Sequence, residues 1–361
     1  MPDIDSLEAP PSRLSPAADA WIERLFCLCL TAQPVLDVLR EIVRTRLAMG
    51  LQKVPATAVV EAATAAAEFS AESFEALRAE AAARDFLAAA KARVTLPSPP
   101  LVMVRLREII DDPNVALEDV AEVVHLDPRL AAALLRLVNS PLYHSSTRVE
   151  TIARAVTALG TRHVYVLALA AAVTTMFEDV RPPGLDLERF WRHSLASAVL
   201  AHSLAQAAGW AEPERCYLGG LLHDIGKLAL YAAAPRRAQQ AQRLHSRLGL
   251  PLDQAERRFF DFDHAMLGAV IFASWGLPDS VVAATLLHAA PRKAPYCEVA
   301  AAVHVANVLA VALGFGVYAD DLVPPLFMEA WDRLSLPPSV LPEVTTSLDA
   351  TVRALAEAEA R

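Results

Sequence analysis

The residues best suited to chemistry lie in one stretch, Gly219-Gly220-Leu221-Leu222-His223-Asp224-Ile225-Gly226-Lys227. Its apolar residues enclose the adjacent His223 and Asp224, and a carboxylate is costly to bury unless it is paired, neutralised or bound to a metal. Imidazole and carboxylate together suit a divalent ion such as zinc, iron, manganese or nickel. On a helix, adjacent side chains point about 100° apart. The pair could therefore bind one ion from two sides, or two different ions, but could not complete a site alone.

Lys227 and His223 each allow two interpretations. Lys227 follows His223 by four residues, on the same face of a helix, where an ammonium can contact a phosphate oxygen or pair with Asp224. Alternatively, His223 is a hydrogen-bonded core histidine and Lys227 extends to solvent. The stretch alone does not distinguish these interpretations.

Further histidines recur in the apolar, helix-like sequence that follows residue 184. They are His193, His202, His264, His288 and His304. Any one of them alone is typical of a buried core or surface histidine. Their recurrence on otherwise apolar helices indicates a shared interior site.

The composition predicts an all-helical protein. The chain has 361 residues, of which 54% are hydrophobic and only 6% aromatic, with 12 glycines. Ala and Leu dominate the apolar residues, which favours helices over sheets. The net charge of −9 argues against direct nucleic-acid binding and favours a protein partner or a small molecule.

The cysteines and the apolar runs indicate a cytoplasmic protein. Cys27, Cys29, Cys216 and Cys297 show no C-x-x-C spacing, so we expect reduced thiols. The acidic, proline-bearing N-terminus lacks the basic and apolar regions of a signal peptide. The most apolar run, at residues 164–177, is too short to span a bilayer, so no membrane segment is expected.

Several separate motifs, in one order, resemble the HDOD domain family. The first half of the resemblance is carried by Leu96-Pro97 through Pro100, Asp127-Pro128-Arg129-Leu130, Leu135, Asn139-Ser140, Ala155-Val156 and Leu159-Gly160. The second half is carried by Trp191-Arg192-His193-Ser194, the 219–227 stretch, Asp263-His264, Leu267-Gly268 and Trp275-Gly276-Leu277-Pro278. Asp127 and Asn139 are interpreted as helix caps and not as ligands.

The resemblance implies an all-helical relative of the HD superfamily of metal-dependent phosphohydrolases, which includes the HD-GYP enzymes that hydrolyse cyclic di-GMP. HDOD proteins mostly act in bacterial signalling and are commonly regarded as non-catalytic. By position, His193 matches the first superfamily ligand and His223 with Asp224 the eponymous pair. His264 and His288 resemble the later histidines of the HD-GYP type, whereas His202 and His304 match no ligand and are assigned a structural role.

Two departures from the enzymes weaken the implied metal site. Asn307 stands where a catalytic enzyme has its last ligand aspartate, and an amide offers a carbonyl oxygen but no charge. Ala289 follows His288 where the HD-GYP enzymes have a second histidine, and no G-Y-P motif is present. The implied ligand set is sufficient for one ion and falls short of a binuclear hydrolase.

The resemblance also implies the domain boundaries. We expect a mobile tail at residues 1–16, an N-terminal helical segment of unassigned role at 17–93, an HDOD domain at 94–315 and a C-terminal helical extension at 316–361. The domain divides into a first helical half at 94–180 and an HD-like half at 185–315.

Three functions are compatible with these features. The favoured hypothesis is a bacterial regulatory protein whose HDOD module binds a signalling protein, with or without a bound Fe, Mn, Zn or Ni ion, and which could dimerise. The second is a metal-dependent phosphohydrolase in which Lys227 contacts the phosphate. The third is a sensor that binds a nucleotide or cyclic dinucleotide without turnover.

Overall fold

A computed structural model describes residues 16–26, 34–49, 52, 101–110, 117–140, 148–177, 180–289, 298–318 and 321–359. Every regular element in these ranges is helical, which confirms the expected all-α fold. The proline-rich linker at 96–100, nearly all of the expected tail, and Cys27, Cys29 and Cys297 lie outside the described residues. Cys216 is buried.

In the described residues, the first half of the domain contains five helices. They are α3 (Leu101–Ile110), α4 (Leu117–His125), α5 (Pro128–Val138), α6 (Ile152–Leu159) and α7 (Thr161–Phe177). Asp127 caps α5 by accepting hydrogen bonds from the backbone of Arg129 and Leu130, as the Asp-Pro sequence predicts. Asn139 ends α5, and its side chain also bonds both backbone groups of Val149, so it joins α5 to the start of α6.

The second half contains the helices that carry the histidines. They are α8 (Leu187–Ala207), α9 (Pro213–Leu222), α10 (Ile225–Ala233), α11 (Pro235–Leu248), α12 (Leu252–Phe260), α13 (His264–Trp275) and α14 (Asp279–Leu287). The 21-residue α8 is buried over most of its length and packs against α9. Helix α7 packs on both α5 and α9, and thereby connects the two halves.

The C-terminal part of the described chain closes the second half. It comprises α15 (Glu298–Ala310), a π-helical turn (Val311–Phe315), α16 (Met328–Leu334), a 3₁₀ turn (Pro338–Val340) and α17 (Leu341–Glu359). Both α15 and α17 pack against α8. The histidine-bearing helices are therefore held from several sides by apolar contacts.

The N-terminal helices α1 (Pro16–Leu25) and α2 (Pro34–Ala48) dock on this C-terminal part. The buried Arg46 of α2 pairs with Asp349 of α17 at 2.5 Å. Gln52 donates to the carbonyl of Ala312 in the π-helical turn at 3.0 Å. The N-terminal segment, to which the sequence analysis assigned no role, thus contacts the turn that follows α15.

One described helix has the length and apolar character of a membrane span. It is Glu298–Phe315, not the 164–177 run singled out from the sequence. However, 83% of this stretch is buried inside the protein, and a buried core helix has the same length and composition. Its hydrophobicity is therefore weak support for a membrane segment.

Candidate metal centre

The helix expected through His223 and Asp224 is interrupted at these two residues. Helix α9 ends at Leu222 and α10 begins at Ile225, with Asp224 at φ −98° and ψ 5°. The expectation that both residues lie on one continuous helix is therefore wrong. The break places the Asp224 carboxylate at the centre of the second half, where it is 1% exposed.

Four histidines from different parts of the second half point one ring nitrogen at Asp224. In each of them the other nitrogen, Nδ1, has an acceptor: Phe315 O for His193 (2.9 Å), Gly220 O for His223 (2.7 Å), Thr285 O for His288 (2.7 Å) and Glu256 Oε2 for His264 (2.6 Å). A carbonyl or carboxylate oxygen can only accept, so Nδ1 carries the hydrogen in all four rings. Their Nε2 atoms are therefore the ones left to bind a ligand.

These Nε2 atoms form two groups of three potential ligand atoms that share Asp224. We call the group of His193 Nε2, His223 Nε2 and Asp224 Oδ2 the first metal position; its nitrogens lie 3.4 and 3.5 Å from Oδ2. We call the group of His264 Nε2, His288 Nε2 and Asp224 Oδ1 the second metal position; its nitrogens lie 3.3 and 3.4 Å from Oδ1. One carboxylate thus serves both positions, one through each oxygen.

The short distance between the Nε2 atoms in each pair of histidines indicates that a cation binds between them. His193 Nε2 lies 3.2 Å from His223 Nε2, and His264 Nε2 lies 3.2 Å from His288 Nε2. Two lone pairs at this distance repel unless a proton or a metal ion lies between them. Two nitrogens bound to one ion at about 2.0–2.1 Å lie about 2.9–3.3 Å apart, so the observed spacing fits metal ligation.

Asp224 Oδ1 is also suited to bind a cation. It is a buried carboxylate oxygen that accepts no hydrogen bond from the described part of the chain. A buried acceptor without a partner is costly, and in native structures such an atom commonly binds an ion or water. The donor set of two imidazoles and a carboxylate in each position matches zinc, manganese, iron or nickel.

Charge within the centre keeps Asp224 ionised, and burial favours the neutral form of two of the four imidazoles. Burial raises the pKa of Asp224, but His223 and Lys227 outweigh burial and hold that pKa well below its usual range. Burial lowers the pKa of His288, and it lowers the pKa of His223 well below the usual value. Neutral imidazoles and an ionised carboxylate are the forms that bind metals.

Lys227 pairs with Asp224 instead of extending to solvent. Its ammonium lies 2.6 Å from Oδ2, and the side chain is 10% exposed. Burial lowers the pKa of Lys227, but Asp224 and Asp321 outweigh burial and raise it. Of the two contacts expected for Lys227, the structure contains the ion pair, whereas its contact with a phosphate stays a prediction.

Glu256 of α12 is a functional residue that sequence reasoning missed. Its Oε2 accepts from both Nδ1 and the backbone N–H of His264, at 2.6 and 2.8 Å. Burial lowers the pKa of His264, but the buried Glu256 outweighs burial and raises that pKa to about 10. The only feature of the sequence that indicates this role is the position of Glu256, eight residues before His264, in a charged helix that precedes an apolar one.

His304 and His202 contact groups other than the six donor atoms. His304 of α15 donates from Nδ1 to the His288 carbonyl at 2.8 Å and accepts from the Phe327 N–H at 3.1 Å, so it supports His288 through its backbone. His202 lies 3.8 Å from Glu214, on the side of α8 that faces α9. Asn307 is buried on α15, and its role as a ligand stays a prediction.

Comparison with known proteins places this centre in a family. The model of the HDOD domain matches residues 96–291, somewhat more than half of the chain. A curated protein of Treponema pallidum (strain Nichols), called an uncharacterized protein, is 25% identical over 194 residues. This match covers 54% of the present chain and 37% of the Treponema protein, so the chain spans well under half of that relative.

Three solved structures share the fold. An HDOD domain protein with unknown function from Geobacter sulfurreducens is 23% identical, with a TM-score of 0.57 over 73% of this chain and 97% of that one. A protein of Shewanella amazonensis SB2B, named as a candidate phosphohydrolase, is 25% identical, with a TM-score of 0.55 over 72% and 98%. A candidate signal transduction protein of Marinobacter aquaeolei VT8 is 24% identical, with a TM-score of 0.56 over 73% and 59%.

Proposed function

The chain belongs to the HDOD domain family, and from the geometry of the centre in this domain we propose that it binds two divalent metal ions and hydrolyses phosphoesters. The observation that carries the proposal is the position of Asp224, whose two oxygens each face a separate pair of imidazole nitrogens. The sequence favoured a regulatory module with one ion or none. The geometry supports two positions, because six donor atoms converge without Asn307.

In this proposal the protein residues hold the metal ions, fix the orientation of the ligand atoms and shield the centre from bulk water. His193, His223, His264 and His288 present fixed Nε2 atoms, because each Nδ1 is engaged by an acceptor. When bound, divalent ions in such a site act as Lewis acids on phosphoryl oxygens and lower the pKa of water. The four rings are 2% exposed or less, so little bulk water competes at their nitrogens.

The charge of the centre suits an anionic substrate. Lys227 and two divalent ions face one shared carboxylate, with Glu256 behind His264, so the loaded centre has excess positive charge. A phosphomonoester or phosphodiester matches that charge. Cyclic dinucleotides are the substrate class implied by the resemblance to the HD-GYP enzymes, and the Shewanella protein named as a candidate phosphohydrolase has the same fold.

The test is hydrolysis by the full chain loaded with Mn²⁺ or Fe²⁺. Release of p-nitrophenol from bis(p-nitrophenyl) phosphate and breakdown of cyclic di-GMP would be measured for wild type and Asp224→Asn. The control is Glu214→Gln, which changes a buried carboxylate beside His163 and His202. Turnover that is lost in Asp224→Asn and kept in Glu214→Gln supports the proposal. Full metal loading without turnover of either substrate contradicts hydrolysis of these esters.

A regulatory module without turnover is the second candidate. It is favoured by the ammonium of Lys227, which already partly neutralises Asp224, and by the uncharged Asn307. In this case the domain would bind a protein partner in a signalling pathway, or would bind a nucleotide without hydrolysing it. For a regulatory module we expect that metal binding changes the hydrogen-exchange protection of α1 and α2 and that no phosphoester is hydrolysed. Protection that is the same with and without metal would contradict this candidate function.

A further inference from the structure

We propose that the two metal positions are unequal: the second position fills first because Glu256 supports it, and Lys227 keeps the first position weak. The inference rests on the proposed function only in requiring that the cluster binds metal. It concerns the order of binding and the residues that set it. It does not depend on any hydrolysis.

The second metal position has an anion behind one of its imidazoles. Glu256 is 2% exposed and accepts both the Nδ1 hydrogen and the backbone N–H of His264. A carboxylate that accepts from a ligand histidine fixes its tautomer and makes the other nitrogen a stronger donor. Because Glu256 is buried, its charge is poorly screened and favours a cation at His264 Nε2.

Glu256 is itself held in place by the elements around it. Helix α12 also carries Arg257, which bonds Asp263 at 2.8 Å through Nε. Asp263 in turn caps α13 by accepting from the backbone of Met266 at 2.8 Å. The end of α12 is thus tied to the start of α13, so Glu256 and His264 stay in register.

Among the described residues, the groups behind the imidazoles of the first metal position are backbone carbonyls and not carboxylates. The Nδ1 atoms of His193 and His223 donate to the backbone carbonyls of Phe315 and Gly220. A carbonyl orients an imidazole as well as a carboxylate does, but it contributes no net charge. The nitrogens of the first position are therefore weaker donors than His264 Nε2.

Lys227 adds a cation that opposes a metal ion at the first position. Its Nζ lies 2.6 Å from Asp224 Oδ2, the oxygen that belongs to this position. Oδ1, the oxygen of the second position, has no such neighbour in the described part of the chain. A divalent ion at the first position must share Oδ2 with an ammonium or displace it, and like charges at such distances repel strongly in a buried site.

The two effects act in the same direction. At low metal concentration the protein binds one ion, at the second position. The Lys227 ammonium then neutralises Asp224 Oδ2, the oxygen of the first position. At higher metal concentration the first position also fills, and the metal ion then competes with the Lys227 ammonium for Asp224 Oδ2. The protein therefore changes from a one-ion to a two-ion form over a range of metal concentration set by Lys227.

The experiment is a calorimetric titration of the metal-free full chain with Co²⁺ at pH 8, together with cobalt content after gel filtration. Wild type is expected to show two classes of site whose dissociation constants differ at least tenfold. His288→Ala should remove the tight class, and His193→Ala should remove the weak class. Loss of the tight class in His193→Ala with retention in His288→Ala would overturn the proposed order.

Two charge-removing variants test the causes separately. Glu256→Gln keeps acceptors for both His264 N–H groups, and should weaken the tight class about 10- to 100-fold. Lys227→Gln keeps a donor for Oδ2 without the charge, and should tighten the weak class at least tenfold. Glu214→Gln lies outside the cluster, so it should change the dissociation constant of neither class by more than about threefold, within the usual context dependence of such effects.

The outcomes separate this inference from the proposed function. If wild type binds two ions with equal constants, or if Glu256→Gln and Lys227→Gln change neither class, the order is wrong although metal binding stands. If wild type binds no cobalt, the proposed function fails as well. Circular dichroism melting identifies any variant that is unfolded, and in that case Glu256→Met and Lys227→Met, which remove the same charges, give the deciding constants.

Discussion

Gly226 lies so close to the backbone of His264 that a Cβ atom built on it would overlap with the His264 carbonyl oxygen. The same Cβ would lie 2.9 Å from the backbone nitrogen of Gly268. Helices α10 and α13 can approach this closely only because residue 226 has no side chain. The contact brings His264 to Asp224, which is two residues before Gly226.

Gly226→Ala is therefore expected to lower the free energy of unfolding by about 3 kcal/mol, at the upper end for overpacked cores. It should also weaken metal binding at the second position, because α13 has to shift. Urea unfolding and metal titration measure the two effects. Gly219→Ala is the control, since the nearest atoms to its Cβ would belong to side chains, Val299 and Val303 at 3.0 Å and Ala284 at 3.5 Å. Equal losses in both variants would contradict the close approach as the cause.

His304→Ala should destabilise the protein although His304 is not a donor in the cluster. The change removes two hydrogen bonds, one donated to the His288 carbonyl and one accepted from the Phe327 N–H, and each such bond contributes about 0.5–1.5 kcal/mol. We also expect weaker binding at the second position, because the backbone of His288 loses its support. Denaturant unfolding checks the first effect, with the exposed His125→Ala as control. A His304→Ala variant as stable as His125→Ala would refute this role.

The sequence was sufficient to predict the helical fold and to bring attention to His193, His223, Asp224, His264 and His288. Their residue types and recurrence on apolar helices are local features that can be read along the chain. The sharing of Asp224 could not be predicted in this way, since it depends on the break between α9 and α10 and on the approach of α13. Glu256 was missed for the same reason: its contact with His264 is set by the packing of α12 against α13.

The docking of the N-terminal helices can be tested at Arg46. Arg46→Met keeps most of the buried volume but leaves Asp349 of α17 without its partner. We expect a loss of about 1–3 kcal/mol in the free energy of unfolding, as for hydrogen bonds to charged groups. Arg44→Met is the matched control, because Arg44 is 40% exposed and its ion pairs are 3.7 and 3.9 Å long. A similar loss in both would mean that the Arg46–Asp349 pair does not hold α2 on α17.

Asp253 makes stability depend on pH. Burial raises the pKa of Asp253 to about 6, although the nearby Arg257 lowers it in part. A carboxyl whose pKa is raised on folding stabilises the folded state below its unfolded pKa of about 3.9, and that contribution is lost as the pH rises through about 6. Asp253→Asn cannot ionise. Relative to wild type it should gain about 2 kcal/mol in unfolding free energy between pH 4 and pH 7.

Guanidinium unfolding at several pH values checks this expectation. The quantity of interest is the difference between Asp253→Asn and wild type at each pH, since other groups titrate equally in both. Asp37→Asn, at a side chain that is 65% exposed, serves as the control. A difference that does not change between pH 4 and pH 7 would show that Asp253 is not the group responsible.

The most direct test of the shared carboxylate is the metal content of the purified, metal-loaded chain, measured by mass spectrometry for wild type, His288→Ala and Asp224→Ala. We expect two equivalents of a divalent transition metal in wild type. We expect no more than one in His288→Ala, and none in Asp224→Ala, because one carboxylate serves both positions. Wild-type protein without metal after loading, or Asp224→Ala that retains two equivalents, would contradict a two-metal centre built around Asp224.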